Sequence, residues 1–235
     1  MHAILFSAVF ALSVNAIGEP FPKHFGFQLP AKSAQHASAE STVKTEEREE
    51  AQKPTSPWSK SFTPPDAPES KHFVLEPLGP HHAEKDHAAF MGSRDHIRHT
   101  LQWGGWPADD TTVEQNRKDL ARHLKEFENR EAYAYSVLSP NRKKCIGCVY
   151  IKPVQNKTDA CAVAYWVVES ELKNDFDKKL QNAMLNWLAE KWAMKMVVLP
   201  YHENNDRGIK FAKEAGARQA GPERDGRVRY VWRAK

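Results

Sequence analysis

Two rhythms of apolar and polar positions organise the chain, and both are confined to the part after residue 70. Short apolar or alternating runs rich in β-branched and aromatic residues predict strands over 72–78 (HFVLEPL), 132–138 (AYAYSVL), 145–151 (CIGCVYI), 160–168 (ACAVAYWVV), 196–202 (MVVLPYH) and 226–234 (GRVRYVWRA). The turn SPNRKK between the second and third runs predicts a hairpin. Helical spacing takes over elsewhere. Gly79-Pro80 leads into a helix over 81–91. Thr111 or Thr112 caps a helix that runs to about Glu128, with Glu114 in its first turn and Val113, Leu120, Leu124 and Phe127 facing inward. Leu180, Ala183, Met184, Trp187, Leu188 and Lys191 form a helical stripe, with Asp177 as its candidate cap. A last helix over 204–215 ends at Gly216. Residues 94–110, around QWGGWP, read as a loop. The order is β-α-α-β-β-β-α-β-α-β, which predicts a mixed α/β sheet with helices on both faces.

The first 70 residues lack both rhythms. Residues 3–14 are an unbroken apolar and small run, followed by Val14-Asn15-Ala16, the spacing of a signal-peptidase site. Residues 1–16 therefore read as a secretory signal without a Lys or Arg ahead of the apolar run, or else as an unstructured apolar terminus. With a signal the chain is secreted or ER-luminal; without one it is cytoplasmic. The run is too short to span a bilayer, and no later segment is long enough. Residues 17–70, rich in Pro, Glu and Ser, have too little apolar surface to offset the entropy of ordering and are expected to be a disordered linker. The folded domain is expected over 71–235.

Composition narrows the function classes. Of 235 residues, 40% are hydrophobic and 27% charged, with a net charge of +4, so neither a membrane bundle nor a nucleic-acid binder with a dense basic stripe is indicated. Most of the charge lies after residue 70, where the formal balance is +6, compatible with an anionic ligand or with an ordinary solvated surface. Three cysteines are too few for a disulfide scaffold. Cys145 and Cys148 have redox-like spacing, but positions three apart in a regular strand point to opposite faces, which argues against a thioredoxin-type motif or a zinc knuckle. Cys148 and Cys161 lie on adjacent predicted strands, and a bridge between them is an open expectation. His96 and His99 lack partners at ligand spacing, so no metal site is expected.

The stretch YWVVESELKNDFDKKL joins an apolar strand to a helix, a place where free backbone N–H groups can hold a phosphate. Together with NDRGIKFAKEAGAR (residues 205–218), and with the whole order of elements over 72–235, it resembles the GNAT superfamily of N-acetyltransferases, most of all the subgroup that acetylates protein N-termini. That resemblance implies a GNAT-like fold, a mixed, mostly antiparallel α/β sheet with helices on both faces. It implies acetyl-CoA as cosubstrate and a primary amine of a small molecule or peptide as acceptor. It places acyl-CoA beside Val167 and Val168 on the splayed strand, its pyrophosphate at Lys173, Asn174 and Asp175, and Asn205 at the start of the last helix.

Two departures stand out. The family's pyrophosphate turn, Q/R-x-x-G-x-G/A, falls on Leu172, Asp175 and Asp177, so both small positions are aspartates that either cap the helix or repel the pyrophosphate. The usual thiolate acid falls on Ala212, and the subgroup's Ser on Gly208. His202, at the end of the fifth strand, is the candidate general base because histidine titrates near neutral pH. Trp103 and Trp106 flank Gly104-Gly105 in the segment where the family places its acceptor, and either cover that ligand or close the core. The alternative to an active transferase is a GNAT-fold binding module without catalysis.

Overall fold

The computed structural model describes Trp58 and residues 61–68, 70–221 and 225–235. The signal-like run and most of the expected linker lie outside the described residues. Seven strands form one sheet in the order β1-β2-β3-β4-β5-β7-β6. They are β1 (Val74–Pro77), β2 (Tyr133–Leu138), β3 (Cys145–Pro153), β4 (Ala160–Val167), β5 (Met196–His202), β6 (Arg218–Gln219) and β7 (Arg227–Arg233). All neighbours are antiparallel except β4 and β5. Helices α1 (Ala83–Gly92), α2 (Arg94–Leu101) and α3 (Val113–Glu128) pack on one face; α4 (Phe176–Glu190) and α5 (Asp206–Glu214) pack on the other. No helix among the described residues is long and apolar enough to cross a membrane.

Local chemistry explains most of these boundaries. Thr112 starts α3 by accepting the Gln115 N–H while Gln115 reaches back to the Thr112 N–H, a reciprocal cap. Asn205 starts α5 by accepting the Gly208 N–H at 2.9 Å. The segment expected as a loop over 94–110 instead opens with α2, a helix of 8 residues whose Ile97 and Leu101, four apart, point into the core. Asp177 does not cap α4. The helix begins at Phe176, preceded by Asp175 in the left-handed conformation at φ 51°, with no side-chain cap.

The folded unit also reaches further back than Lys71. Trp58 is buried, stacked on Phe62 and packed at an angle against Tyr133 and edge-on against Trp192. Arg130 donates to the Phe62 carbonyl at 2.8 Å and Trp187 to the Asp66 carbonyl at 2.8 Å. The two aromatics of this strap stand alone among Pro, Ser and Glu, so composition averaged over the whole linker hid it.

The cysteines depart from expectation in a second way. Leu138 pairs with Cys145 but Val137 with Gly147, so Ile146 is an extra residue on β3. This bulge turns Cys145 to the same side as Cys148, toward α1. Cys161 stands on the other face. It is an odd-numbered residue of β4, in phase with Tyr165, which reaches α4, whereas Cys148 is opposite Trp166. The Cys148–Cys161 bridge left open by the sequence is excluded by this geometry, and all three thiols are free.

Candidate active site

The sheet opens between its two parallel strands. β4 and β5 pair only over Ala160–Ala162 and Met196–Val198; from Val163 and Leu199 onward they diverge. Tyr165 of β4 and Tyr201 of β5 meet beneath the gap, where their hydroxyls donate to the same Gln181 oxygen of α4 at 3.2 and 2.6 Å. Burial pushes both phenols up, so each keeps its proton. The Gln181 side-chain nitrogen is buried with no partner, a donor left over below the opening.

The edge of β4 that faces the gap carries free backbone groups. Val168 gives its N–H to the Ile146 carbonyl at 3.0 Å, on the β3 side. Hydrogen-bonding directions alternate along a strand, so the N–H groups of Val167 and Tyr165 point the other way, into the gap. Above it lies a cleft of about 240 Å³, walled by β4 residues Tyr165–Val167, by His96 and Thr100 of α2, and by Asn205, Arg207 and Gly208 at the start of α5. It is smaller than the about 300–1,000 Å³ of a typical ligand pocket, so it fits the reacting end of a cosubstrate rather than a whole nucleotide.

Arg207 closes one end. It holds Asp177 through two nitrogens at 2.8 and 2.9 Å, Asp175 at 2.9 Å and the Leu172 carbonyl at 3.1 Å. Its guanidinium also lies 5.2 Å from the centre of the Phe211 ring. The two aspartates therefore neither cap α4 nor stand free: they are drawn sideways onto an arginine. The first backbone N–H groups of α4 are left without a side-chain cap. Asp175 occupies a left-handed position, the backbone conformation a glycine adopts most easily.

The expected site residues are dispersed. Val167 and Asn205 are on the cleft wall. Val168 lies one step beyond, with its N–H used. Lys173 and Asn174 are exposed on the two-turn 3-10 segment Glu169–Asn174 ahead of α4, and the Asn174 carbonyl accepts from Lys179 at 2.9 Å. His202 faces away from Tyr201 on the alternation of β5 and is not on the cleft wall. Its Nδ1 accepts the Asn204 N–H at 3.3 Å, and its ring packs against Gly226. Trp103 and Trp106 are both buried: Trp106 packs on Phe90 and Trp166, Trp103 on Trp106 and Tyr150. They close the core rather than line the cleft.

Three cleft groups escaped the sequence reading. His96 was hidden because α2 is too short to show a period. It is half-buried, and desolvation lowers its pKa against the opposing pull of Glu169 and Asp177. Tyr165 looked like an ordinary strand aromatic. Arg207 did leave a signal: a cation in the first turn of a helix opposes the helix dipole and calls for local anions.

Gly208 has its own explanation. A Cβ there would lie 2.6 Å from the Tyr201 ring and 2.8 Å from the Asn205 side-chain oxygen, so no serine fits without movement.

Comparison with known proteins agrees with this geometry. Residues 72–218 match the family model of the acetyltransferase (GNAT) domain. No curated protein matches the chain in sequence. Among solved structures, the fold is similar to the ribosomal-protein-S5-alanine acetyltransferase from Vibrio fischeri, with a TM-score of 0.58, 16% identity, and coverage of 71% of this chain and 96% of that one. It is similar to RimL, a ribosomal L7/L12 α-N-protein acetyltransferase in complex with coenzyme A (0.60, 16%, 71% and 96%). It is also similar to the microcin C7 self-immunity acetyltransferase MccE in complex with acetyl-CoA and AMP (0.59, 14%, 70% and 94%). At these identities the likeness concerns the fold.

Proposed function

The chain belongs to the GNAT acetyltransferase family, and on that premise we propose that it transfers an acetyl group from acetyl-CoA to a primary amine of a small molecule or peptide. The observation that carries this is the gap between β4 and β5, with the Val167 and Tyr165 N–H groups turned into it. The solved relatives named for ribosomal-protein acetylation support a peptide α-amine among the acceptors.

The residues present fit the cosubstrate in two places. The free edge of β4 offers amide donors to an extended arm lying in the gap. The uncapped first turn of α4 offers N–H groups to a pyrophosphate. Arg207 offsets one of the two aspartate charges there and keeps both carboxylates off the helix axis.

The chemistry assigned to the chain's own groups follows. His96, its pKa lowered by burial, takes a proton from the acceptor ammonium, and the neutral amine so freed forms the new carbon–nitrogen bond at the thioester carbon. The Val167 N–H donates to the carbonyl oxygen as it gains negative charge. As the carbon–sulfur bond breaks, the departing thiolate takes a proton from water. A thiolate is a tolerable leaving group, so the absence of an acid at Ala212 and Gly208 slows this step without forbidding it.

A second function is favoured by one observation: the Asp177 carboxylate is buried in the cleft wall at the pyrophosphate end. On that basis the protein is a binding module without turnover. Thiol release from acetyl-CoA, measured with the full chain over a panel of amines and peptide N-termini, separates the two. Turnover above buffer supports the transferase; binding of acetyl-CoA without turnover for any amine supports the module.

A further inference from the structure

The bulge in β3 gathers a donor set that acetyl transfer does not use. Cys148 Sγ lies 3.2 Å from Asp86 Oδ1 of α1, and Cys145 Sγ lies 3.8 Å from the same oxygen. The three donor atoms are all within 4.8 Å of one another. Asp86, Cys145, Cys148 and Ser136 are 3%, 5%, 0% and 0% exposed, so the cluster belongs to the core. Asn116, also buried, donates to Asp86 Oδ2 at 2.9 Å and to the Ala83 carbonyl at 3.1 Å, which turns Oδ1 toward the sulfurs.

A carboxyl in the core is expensive unless a cation or strong donors accompany it. The hydrogen-bond partners of Asp86 are two thiols and an amide, with no lysine or arginine among the described residues, and the cationic group that acts on it is His123 of α3, set against Asp119. A tetrahedral zinc ion, about 2.3 Å from sulfur and about 2.0 Å from oxygen, sets S···O edges of about 3.5 Å and an S···S edge of about 3.8 Å. The observed S···O distances bracket the first value. The Cys145 thiol also lies 3.3 Å from the Gly147 carbonyl. Asn116 supplies the outer hydrogen bond that orients a ligating carboxylate. Two thiolates and one carboxylate favour Zn²⁺ over the hard cations.

We propose that Asp86, Cys145 and Cys148 form a buried zinc site that ties α1 to the bulged end of β3. The competing use of a C-x-x-C pair, a disulfide, is not formed: both thiols are free. Zinc enters during folding, as both thiols lose their protons, and it fixes the helix pair that carries His96. The proposal does not depend on acetyl transfer.

The test is metal content of the full chain, produced with zinc and dialysed against a weak chelator. The expected result is about one zinc per chain, falling at least tenfold in a Cys145→Ser/Cys148→Ser variant and unchanged in Cys161→Ser, whose thiol is on the other face. Less than a tenth of a zinc per chain, or zinc retained by the double variant, overturns the proposal. Should the double variant fail to fold, cobalt substitution of the unaltered chain decides. Thiolate-to-cobalt charge transfer with intense tetrahedral bands is expected; their absence overturns the site.

Discussion

Arg207, in the first turn of α5, grips Asp177, near the start of α4, through both arms of its guanidinium at 2.8 and 2.9 Å. This pair locks together the two helix starts that flank the cleft. Asp177 is buried while the Arg207 side chain is 41% exposed, so the pair is worth less than a fully buried one. Arg207→Ala is expected to cost about 1–2 kcal/mol of stability by denaturant unfolding. It also leaves two bare carboxylates at the pyrophosphate end, so acetyl-CoA affinity should fall about tenfold. Removing Asp177 as well should recover part of both losses. Independent, additive losses would show that the pair has no role at the cleft.

His96 should set the acidic limb of the pH–rate profile. Its pKa is lowered by burial, with Glu169 and Asp177 opposing and His99 and Arg207 adding to the shift. A base is active when unprotonated, so kcat/KM should rise with pH through a value below the ordinary 6.5 and be flat above it. His96→Gln should remove that limb and lower kcat by about 10²–10⁴. An unchanged limb would move the role elsewhere, with His202, also lowered by burial, next to be tested.

Gly208→Ser tests why the serine of the N-terminal-acetylating subgroup is missing. The new Cβ meets the Tyr201 ring and the cap oxygen of Asn205. The variant is expected to lose about 1–3 kcal/mol in thermal or denaturant unfolding and to gain no activity. A stable, faster variant would mean that the serine was simply lost.

The strap around Trp58 should be part of the domain's stability. Trp58→Ala is expected to cost about 3–5 kcal/mol, as for other buried tryptophans. A chain beginning at residue 71 should melt well below the full chain. Equal melting points would show that the strap contributes nothing.

Much of the fold was legible because its signals were long. The stripe from Leu180 to Leu188 and the apolar run of β5 each exceed one turn or one strand period, and both appear where expected. The site was less legible because its determinants are short or non-local. α2 has barely two turns, so its two inward residues, Ile97 and Leu101, did not reveal that His96 sits on a helix. The Arg207–Asp177 contact joins residues 30 apart, which no local pattern encodes. The facing of Cys145 was not legible, because one extra residue in β3 inverts it and a bulge has no signature in a run such as CIGCVY. The opening of the sheet was expected from the family resemblance and is present, but its polar wall could be identified only once the strands had been placed.

The central claim is that the gap between β4 and β5 receives acetyl-CoA. Isothermal titration of acetyl-CoA into the full chain tests it most directly. One saturable site per chain is predicted, with a Kd in the range of about 1 μM to 1 mM usual for enzyme substrates, weakened by Arg207→Ala. The absence of any binding heat at millimolar acetyl-CoA would contradict it.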